Sequence, residues 1–464
     1  MPVDAALDPT TQRRLESHVT AWMGENDIPG ASVAVVGGAE LRYAEGFGAR
    51  DLRENRPATA DTLYGIGSCT KSFVATAVLQ RVATGDLNLS DSVDEYLTHL
   101  TDVPGGSITI EDLLSHTSGM PSDGNLSALV TRLTGIGDAN VPLTSEDDFR
   151  RHVQLSVEER YTDEEHFFYY NTGFTLLGKI IEIVTDTAFH EYVREHIFAP
   201  LSMDRSCFES KRFMSDDDRM TAYYEVDDGW ETGQLGFAAT MHAPGGLVSS
   251  VVETSQYLRM LMNSGSFAGE RILDADAVEA MSTPRVSRYE TIDGTIREYG
   301  YGLSVQPFLD DTLIGHGGMM GTATAFIGWL ADADVGVVIT CNTAPTHHPT
   351  TTGHALLSIL RERDPYETVP QLALERSADS LVGEYESYRE VQTATVEQEG
   401  TALSVEIEGQ LDNQSLMLFP SDSDPANLTY YTVLGDKQVT VEFLPTDDGV
   451  DMLFQRWRFH RQHE

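Results

Sequence analysis

The sequence predicts an α/β domain followed by a small all-β meander or barrel, and three observations favour this assignment. Residues 31–51 hold an apolar run, a Gly-Gly turn and a second strand-like run, which is typical of a β-hairpin. Residues 71–240 are mostly helical in pattern, and strand-like segments return only in residues 300–342. After residue 380, short alternating runs recur at fairly regular spacing, as in an antiparallel meander.

Start and stop signals place the predicted elements along the chain. Residues 10–25 predict a helix, and residues 71–85 predict a second one, with apolar positions at helical spacing and Gly85 as its stop signal. Tight acidic turns then separate three predicted strands, at 300–308, 322–332 and 334–342.

A change of composition marks the domain boundary. The chain has 464 residues, more than one hydrophobic core usually organises. Residues 361–379 are charged and punctuated by proline, which is typical of a linker. We therefore expect a first domain at 1–365, a linker at 366–380 and a β-rich domain at 381–464.

The chain is strongly acidic, with 73 Asp and Glu against 31 Lys and Arg and a formal net charge of −42. Nucleic acids and anionic membranes require a basic surface, so both are excluded as partners. Dispersed acidity with very little lysine is typical of a protein that works in molar salt, where screening over about 3 Å suppresses self-repulsion. An unusually acidic mesophilic protein is the alternative.

Targeting and cofactor motifs are not visible in the sequence. No apolar run approaches the roughly 18 residues that span a bilayer, and the first residues show no secretory signal. We expect a cytoplasmic protein of a high-salt-adapted organism, although a chain trimmed of its signal would look the same. Cys69, Cys207 and Cys341 are odd in number and far apart, so no disulfide, metal site or cofactor is expected.

The stretch GIGSCTKSF, residues 65–73, places Ser68 three residues before Lys71. At this spacing on a helix, two side chains share one face. A serine hydroxyl becomes a strong nucleophile when a base removes its proton, and a lysine whose pKa is lowered can be that base. The intervening Cys69 points away and is expected to be a small buried residue. Because Ser-x-x-Lys arises easily by chance, the pair alone does not predict catalysis.

Two further stretches carry residue types that suit acyl transfer. Tyr169 and Asn171 precede a predicted helix; a tyrosine near a lysine can shuttle a proton, and an asparagine can hold a substrate amide. His316-Gly317-Gly318 leads into a strand whose edge can offer a backbone N–H to a developing oxyanion. Singly these residues are typical of a core aromatic and a satisfied histidine, but together they favour a catalytic site.

These three stretches resemble the active-site motifs of the serine β-lactamase and penicillin-binding-protein-like superfamily, specifically its class C β-lactamase-type serine hydrolases. The resemblance extends over about residues 28–342 and includes ITIEDLLSHTSGM at 108–120 and APGGLVSS at 243–250. It implies an antiparallel sheet flanked by helices, with an all-helical region beside it.

The resemblance also implies roles for the matching residues. Ser68 matches the acylated nucleophile, and Lys71 matches its partner on the same helix face. Tyr169 matches the tyrosine that forms the general acid/base pair with the lysine. Asn171 matches the asparagine that contacts both the lysine and the substrate.

His316, Gly317 and Gly318 match the Lys-Thr-Gly box, and the resemblance implies an oxyanion hole formed by the backbone N–H groups of Ser68 and Met319. Penicillin-recognising members carry lysine at the position of His316. Neutral histidine supplies only a hydrogen bond near pH 7. The members that this sequence resembles in carrying His-x-Gly at this point include esterases and peptidases that act on D-amino-acid substrates.

We therefore expect a serine hydrolase acting on a peptide or amide, including D-amino-acid substrates, or on a carboxylic ester. β-Lactamase or penicillin-binding activity is the first alternative, and a non-catalytic binding or scaffold protein on the same fold is the second. The expected partner is a small-molecule or peptide substrate, and the oligomeric state is left unknown.

Three remaining features are expected to lie outside the site. Ser115 and His116 are interpreted as loop residues of the shared scaffold. His347 and His348 lack further ligands at zinc spacing and are expected to face solvent. The stretch LVGEYES, at 381–387, resembles the start of the lipocalin-like domain of some related hydrolases, where it shapes access or assists oligomerisation; a solubilising appendage is the alternative.

Overall fold

The computed structural model describes residues 6–38, 40–121, 146–162, 166–226, 229–409, 413–447 and 449–462. The chain divides into two units. The first comprises Met1–Tyr289 and Ile296–Leu360, and the second comprises Glu290–Thr295 and Arg361–Glu464.

The described helices before residue 361 are α1 (Pro9–Glu25), α2 (Thr70–Ala83), α3 (Val93–Tyr96), α4 (Ile110–Ser115), α5 (Glu146–Ser156), α6 (Asn171–Thr185), α7 (Phe189–Val193), α8 (Ser210–Ser215), α9 (Ala239–Gly245), α10 (Val251–Met262), α11 (Ala275–Ser282) and α12 (Pro349–Leu360). The described strands of the same segment are β1 (Gly30–Gly37), β2 (Glu40–Asp51), β3 (Arg56–Pro57), β4 (Tyr64–Gly65), β5 (Tyr223–Val226), β6 (Gly229–Thr232), β7 (Val248–Ser249), β8 (Ser266–Phe267), β9 (Glu270–Arg271), β10 (Val286–Glu290), β11 (Ile296–Tyr299), β12 (Ser304–Phe308), β13 (Asp311–Met319), β14 (Thr324–Leu330) and β15 (Val335–Cys341).

Within the described residues, nine strands form one sheet in the order β10-β11-β12-β13-β14-β15-β1-β2-β3. The pairs from β11 to β3 are antiparallel. Strand β1 pairs with β15, with Val33 opposite Ile339, so the N-terminal hairpin joins strands from the far end of the unit. Strand β14 is buried at every position, because helices cover both faces of the sheet.

Two helices cover the opposite faces of this central sheet. Gly336 of β15 lies against Leu258 of α10, while Gly353 of α12 lies against the ring of Phe326 on β14. Residues 326 and 339 are register partners, and 336 lies three positions from 339, so the two contacts fall on opposite faces.

Helix α2 carries Lys71 into the interior of the first unit. Its residues from Thr70 to Leu79 are all buried, and helices α6, α9 and α11 surround it. Ten consecutive buried residues cover every face of an α-helix, so this part of α2 is enclosed on all sides. Lys71, in its first turn, is therefore withdrawn from water together with its apolar neighbours.

The second unit is a closed barrel formed by β16 (Gly383–Ser387), β17 (Gln392–Glu399), β18 (Ala402–Gly409), β19 (Gln414–Pro420), β20 (Thr429–Leu434), β21 (Lys437–Thr446), β22 (Gly449–Phe454) and β23 (Trp457–Arg461). Side chains alternate along its strands: Leu403, Val405 and Ile407 of β18 enter the barrel core. The stretch interpreted as a linker holds two short helices, α13 (Pro365–Thr368) and α14 (Pro370–Asp379), and Ala378 of α14 joins that core.

The predicted fold class is confirmed. The first unit is an α/β structure with a large antiparallel sheet and helices, and the following all-β unit closes into a barrel. In the part of the chain that the structure describes, no helix combines the length and the apolar character needed to cross a membrane.

Candidate active site

Ser68 lies in a tight turn that leads into α2. The turn, Gly67–Cys69, is a single 3₁₀ segment, and Gly67 adopts a φ of +52°. The Thr70 hydroxyl donates to the Gly67 carbonyl over 2.6 Å and closes the turn. The serine side chain is partly exposed at the point where the helix begins, although Gly67 and Cys69 on either side of it are buried.

Lys71 has three close partners and no exposed surface. Its Nζ lies 3.0 Å from Ser68 Oγ, 2.7 Å from Asn171 Oδ1 and 2.6 Å from the Pro244 carbonyl oxygen. Burial lowers the pKa of Lys71 well below its usual value. The amide and carbonyl oxygens can only accept, so a neutral amine donates to both and keeps its lone pair for Ser68.

Tyr169 stands beside the serine and the lysine. The Lys71 Nζ lies 4.8 Å from the centroid of the Tyr169 ring. Burial raises the pKa of Tyr169, and a hydrogen bond with Ser68 partly opposes that rise. Asn171 is the first residue of α6, so the start of this helix delivers the asparagine to Lys71 while the preceding chain delivers the tyrosine.

The end of β13 passes very close to the Ser68 turn. A Cβ on Gly318 would lie 1.9 Å from the Ile66 carbonyl oxygen and 3.0 Å from Ser68 N, and a Cβ on Gly67 would lie 2.3 Å from Met319 N. Both glycines are therefore needed for this approach. Met320 N donates to Ala323 O, so the alternation of an antiparallel ladder turns the Met319 N–H away from β14 and toward the turn.

His316 is held by two partners and is not a cation. Its Nδ1 donates to the Gly317 carbonyl oxygen over 2.5 Å. In the neutral ring the other nitrogen, Nε2, therefore carries no proton and accepts from the Tyr299 hydroxyl over 3.0 Å. Burial lowers the pKa of His316 to about 3. Its ring lies 6.2 Å from that of Tyr169, at the edge of the cluster.

The structure thus brings Ser68, Lys71, Tyr169, Asn171 and the end of β13 with His316, Gly317, Gly318 and Met319 into one cluster. A neutral amine on a serine hydroxyl, a phenol beside them and converging backbone N–H groups can perform acyl transfer. Among the described residues, no group of three or more His, Cys, Asp or Glu is placed to hold a metal ion.

Several residues beside this cluster are not predicted from the sequence. His116 has a φ of +62°, accepts from the Tyr170 N–H and lies with its ring 4.4 Å from that of Tyr169. Ser115 donates instead to the Glu111 carbonyl, so the two form no dyad, but the prediction that His116 lies away from the site was wrong. Its unusual backbone conformation is not visible in the residue pattern.

Cys69 and His348 complete the surroundings. Cys69 is a buried thiol that contacts the His316 carbonyl oxygen, and burial raises its pKa to about 12, which leaves it without nucleophilic character at neutral pH. His348 is partly buried, and its Nε2 lies 3.1 Å from the Gly318 carbonyl oxygen. The prediction that His348 faces solvent was wrong, because the loop before α12 folds back onto β13.

Comparisons with known proteins agree with this architecture. The family model described as Beta-lactamase matches residues 15–360, and the model described as Pab87 octamerisation domain matches residues 365–460. The octameric penicillin-binding protein homologue from Pyrococcus abyssi is 30% identical, with a TM-score of 0.90 over 98% of this chain and 100% of that chain. A penicillin binding protein from Bacillus halodurans, 21% identical with a TM-score of 0.59 over 75% of this chain and 97% of its own, supports the fold alone.

Curated relatives match with lower coverage or lower identity. Protein flp of Staphylococcus aureus (strain MW2) is 30% identical over 211 residues, which is 45% of this chain and 40% of that protein. The chain therefore spans well under half the length of this relative. Penicillin-binding protein 4* of Bacillus subtilis (strain 168) is 25% identical over 420 residues, 86% of this chain and 88% of its own length.

The comparisons correct one expectation and establish the family. The oligomeric state was left unknown, but residues 365–460 match an octamerisation domain and the Pyrococcus abyssi homologue is octameric, so oligomeric assembly is indicated. The Beta-lactamase model covers most of the chain, and the same homologue aligns along nearly its whole length. The chain belongs to the beta-lactamase family of penicillin-binding-protein-like serine hydrolases.

Proposed function

We propose that this chain is a serine hydrolase that works through an acyl-Ser68 intermediate. The observation that carries the proposal is the environment of the Lys71 amine. The amine is buried, and it contacts the Asn171 side-chain oxygen, the Pro244 carbonyl oxygen and Ser68 Oγ. A lysine in a purely structural role would favour its charged form through a carboxylate. This one has carbonyl and amide oxygens as partners, which suits an amine that takes up and releases a proton.

The first half of the reaction forms the acyl-enzyme. Ser68 Oγ attacks the substrate carbonyl carbon, and its proton passes to the Lys71–Tyr169 pair. The carbonyl π electrons move to oxygen, where the backbone N–H groups of Ser68 and Met319 stabilise the charge. The intermediate then collapses, the bond to the leaving group breaks, and the proton is returned to the departing amine or alcohol.

The second half is hydrolysis by the same groups. Water attacks the ester carbon of acyl-Ser68, gives a proton to the Lys71–Tyr169 pair, and the bond to Ser68 Oγ breaks as that proton returns to it. Lys71 and Tyr169 are close enough to titrate together, so no single base is assigned.

We assign peptide or amide substrates, including those with D-amino-acid residues, and carboxylic esters as the substrate class. The support comes from His316, which is neutral and whose two ring nitrogens are engaged by Gly317 and Tyr299. A cation or a free donor at this position would favour a penicillin carboxylate, and the His316 ring supplies neither. β-Lactamase activity is therefore expected to be poor.

The two remaining properties of the proposal concern assembly and salt. The barrel match to an octamerisation domain supports assembly of this chain through its C-terminal unit. A net charge of −42 supports a protein whose folded state depends on high salt. Light scattering with and without residues 361–464, at about 0.1 and about 2 M KCl, tests both properties.

A substrate panel in concentrated KCl tests the proposal. It compares p-nitrophenyl esters, D- and L-aminoacyl p-nitroanilides and nitrocefin for the wild type, Ser68→Ala and the control Ser115→Ala. Turnover of at least one ester or anilide that is lost in Ser68→Ala and kept in Ser115→Ala is the expected result. Ser115 is a fair control because its hydroxyl donates to the Glu111 carbonyl. Activity retained in Ser68→Ala contradicts the mechanism, and nitrocefin as the best substrate contradicts the use of His316.

A further inference from the structure

His348 makes a connected set of hydrogen bonds behind the end of β13. Its Nε2 lies 3.1 Å from the Gly318 carbonyl oxygen, and its Nδ1 lies 3.1 Å from the Thr350 backbone nitrogen and 2.9 Å from Thr350 Oγ1. These contacts come from the loop before α12 and the first turn of that helix, so a separate element holds the ring in place.

The partners determine which ring nitrogen carries the proton. A carbonyl oxygen only accepts, so Nε2 must donate to Gly318. A backbone N–H only donates, so Nδ1 must accept from Thr350. His348 is therefore the neutral Nε2–H tautomer, with the orientation of its ring set from both sides.

The acceptor belongs to the peptide group that serves the reaction. The Gly318 carbonyl and the Met319 N–H are the two ends of one planar peptide unit. A hydrogen bond accepted at the oxygen polarises that unit and makes its N–H a stronger donor. The same bond reinforces the orientation that the ladder with β14 gives this unit, with the Met319 N–H directed at the Ser68 turn. A Cβ on Gly67 would lie 2.3 Å from Met319 N, which shows how closely the two meet.

Gly317 provides the space that His348 occupies. A Cβ at Gly317 would lie 2.6 Å from Thr350 Oγ1 and 3.0 Å from His348 Cε1. A threonine at this position, as in the Lys-Thr-Gly box, would collide with both. The glycine and the histidine therefore form a matched pair, in which the missing side chain on β13 is replaced by a ring from the α12 loop.

We propose that His348 is a positioning residue that orients and polarises the Gly318–Met319 peptide for oxyanion binding. The inference rests on the proposed acyl-Ser68 mechanism and adds a residue to its oxyanion hole. It predicts that His348 acts on the charge that develops on the substrate oxygen and leaves ground-state binding unchanged.

The test compares p-nitrophenyl acetate with its thiono analogue, in which sulfur replaces the carbonyl oxygen. Sulfur accepts hydrogen bonds poorly, so a weakened oxyanion hole penalises the oxygen ester more than the thiono ester. We expect His348→Phe to lower kcat about tenfold with little change in KM, and to lower the oxygen-to-sulfur ratio of kcat/KM by a similar factor. His348→Gln, whose amide can still donate to Gly318, should restore most of both.

His347→Gln is the matched control, because the His347 ring contacts Asn26, at the end of α1, instead of β13. An oxygen-to-sulfur ratio in folded His348→Phe within twofold of the wild type overturns the proposal, as does a loss that His348→Gln does not restore. If His348→Phe fails to fold, His348→Asn, whose shorter side chain does not reach Gly318, takes its place. Ser68→Ala is run in parallel, since residual turnover there contradicts the mechanism itself and not the role of His348.

Discussion

The Lys71 amine lies 3.0 Å from the Ser68 hydroxyl, and the lysine side chain is completely buried. By contrast, Lys179 is partly exposed and pairs with Glu146 and Glu182, as a lysine with a surface role does. Burial lowers the pKa of Lys71 well below its usual value, which favours the neutral amine that can accept a proton from Ser68.

Replacement of Lys71 should abolish most of the activity. Lys71→Ala is expected to lower kcat/KM on the order of 10²-fold or more, as for loss of a general base. Lys71→Arg should not rescue it, because arginine stays protonated in proteins. Steady-state ester hydrolysis in high KCl measures both, with Lys179→Ala as the control of unchanged activity. Substantial activity in Lys71→Arg would exclude proton transfer by this residue.

A charge placed beside Lys71 should move the pH profile. Asn171→Asp puts a carboxylate 2.7 Å from Nζ, if the side chain keeps its place, and an opposite charge raises the pKa of a lysine by about one to three units. Activity requires the neutral amine, so the acidic limb of kcat/KM should move to higher pH. Asn263→Asp, on an exposed helix end, makes the same charge change and should leave the profile in place. An unshifted limb in Asn171→Asp contradicts the assignment of Lys71.

His316 should make the fold sensitive to acid. Burial lowers the pKa of His316 from 6.5 to about 3. Between these two pH values the His316 side chain is protonated in the unfolded chain and neutral in the folded chain. The stability due to neutral His316 is therefore present above pH 6.5 and is lost as the pH falls toward 3. The urea concentration at the midpoint of unfolding is measured at about pH 7.5 and about pH 4.5 for both proteins. The difference between the two pH values should be smaller for His316→Gln than for the wild type. Equal differences in the two proteins would show that His316 does not titrate in this way.

Salt should stabilise the protein strongly. With a net charge of −42, self-repulsion opposes folding in dilute buffer, where the screening length is about 10 Å at 0.1 M salt. At about 1 M KCl that length falls to about 3 Å, and the melting temperature should rise steeply. Melting curves across a KCl series measure this. A salt-independent melting temperature with full activity at low salt contradicts adaptation to high salt.

The fold class and the family could be predicted because their signals are local. The hairpin of β1 and β2, the apolar face of α2 and the alternation along β18 each follow from the period of neighbouring residues. The same reasoning predicts less of the segment 366–380. Its prolines and charges indicated a linker, yet Pro365 and Pro370 begin helices, where proline is well tolerated, and Ala378 joins the barrel core.

The sequence predicts the side chains of the site that belong to motifs, but not the partners that tertiary packing brings to them. The Pro244 carbonyl that binds Lys71 is a backbone group 173 residues away, and no side-chain pattern reveals it. The contacts of Tyr299 with His316 and of His348 with Gly318 depend on where the end of β11 and the loop before α12 lie relative to β13. Such partners follow from tertiary packing, which residue spacing does not encode.

The measurement that tests the central claim most directly is covalent labelling of the full chain in concentrated KCl with a fluorophosphonate probe. The account predicts one adduct per chain by intact mass, mapped by peptide sequencing to Ser68, and none in Ser68→Ala. Lys71→Ala should react much more slowly, while Lys179→Ala should react as the wild type does. Folded protein that forms no adduct at Ser68, or that is labelled equally in Ser68→Ala, would contradict the account and favour a non-catalytic role for this fold.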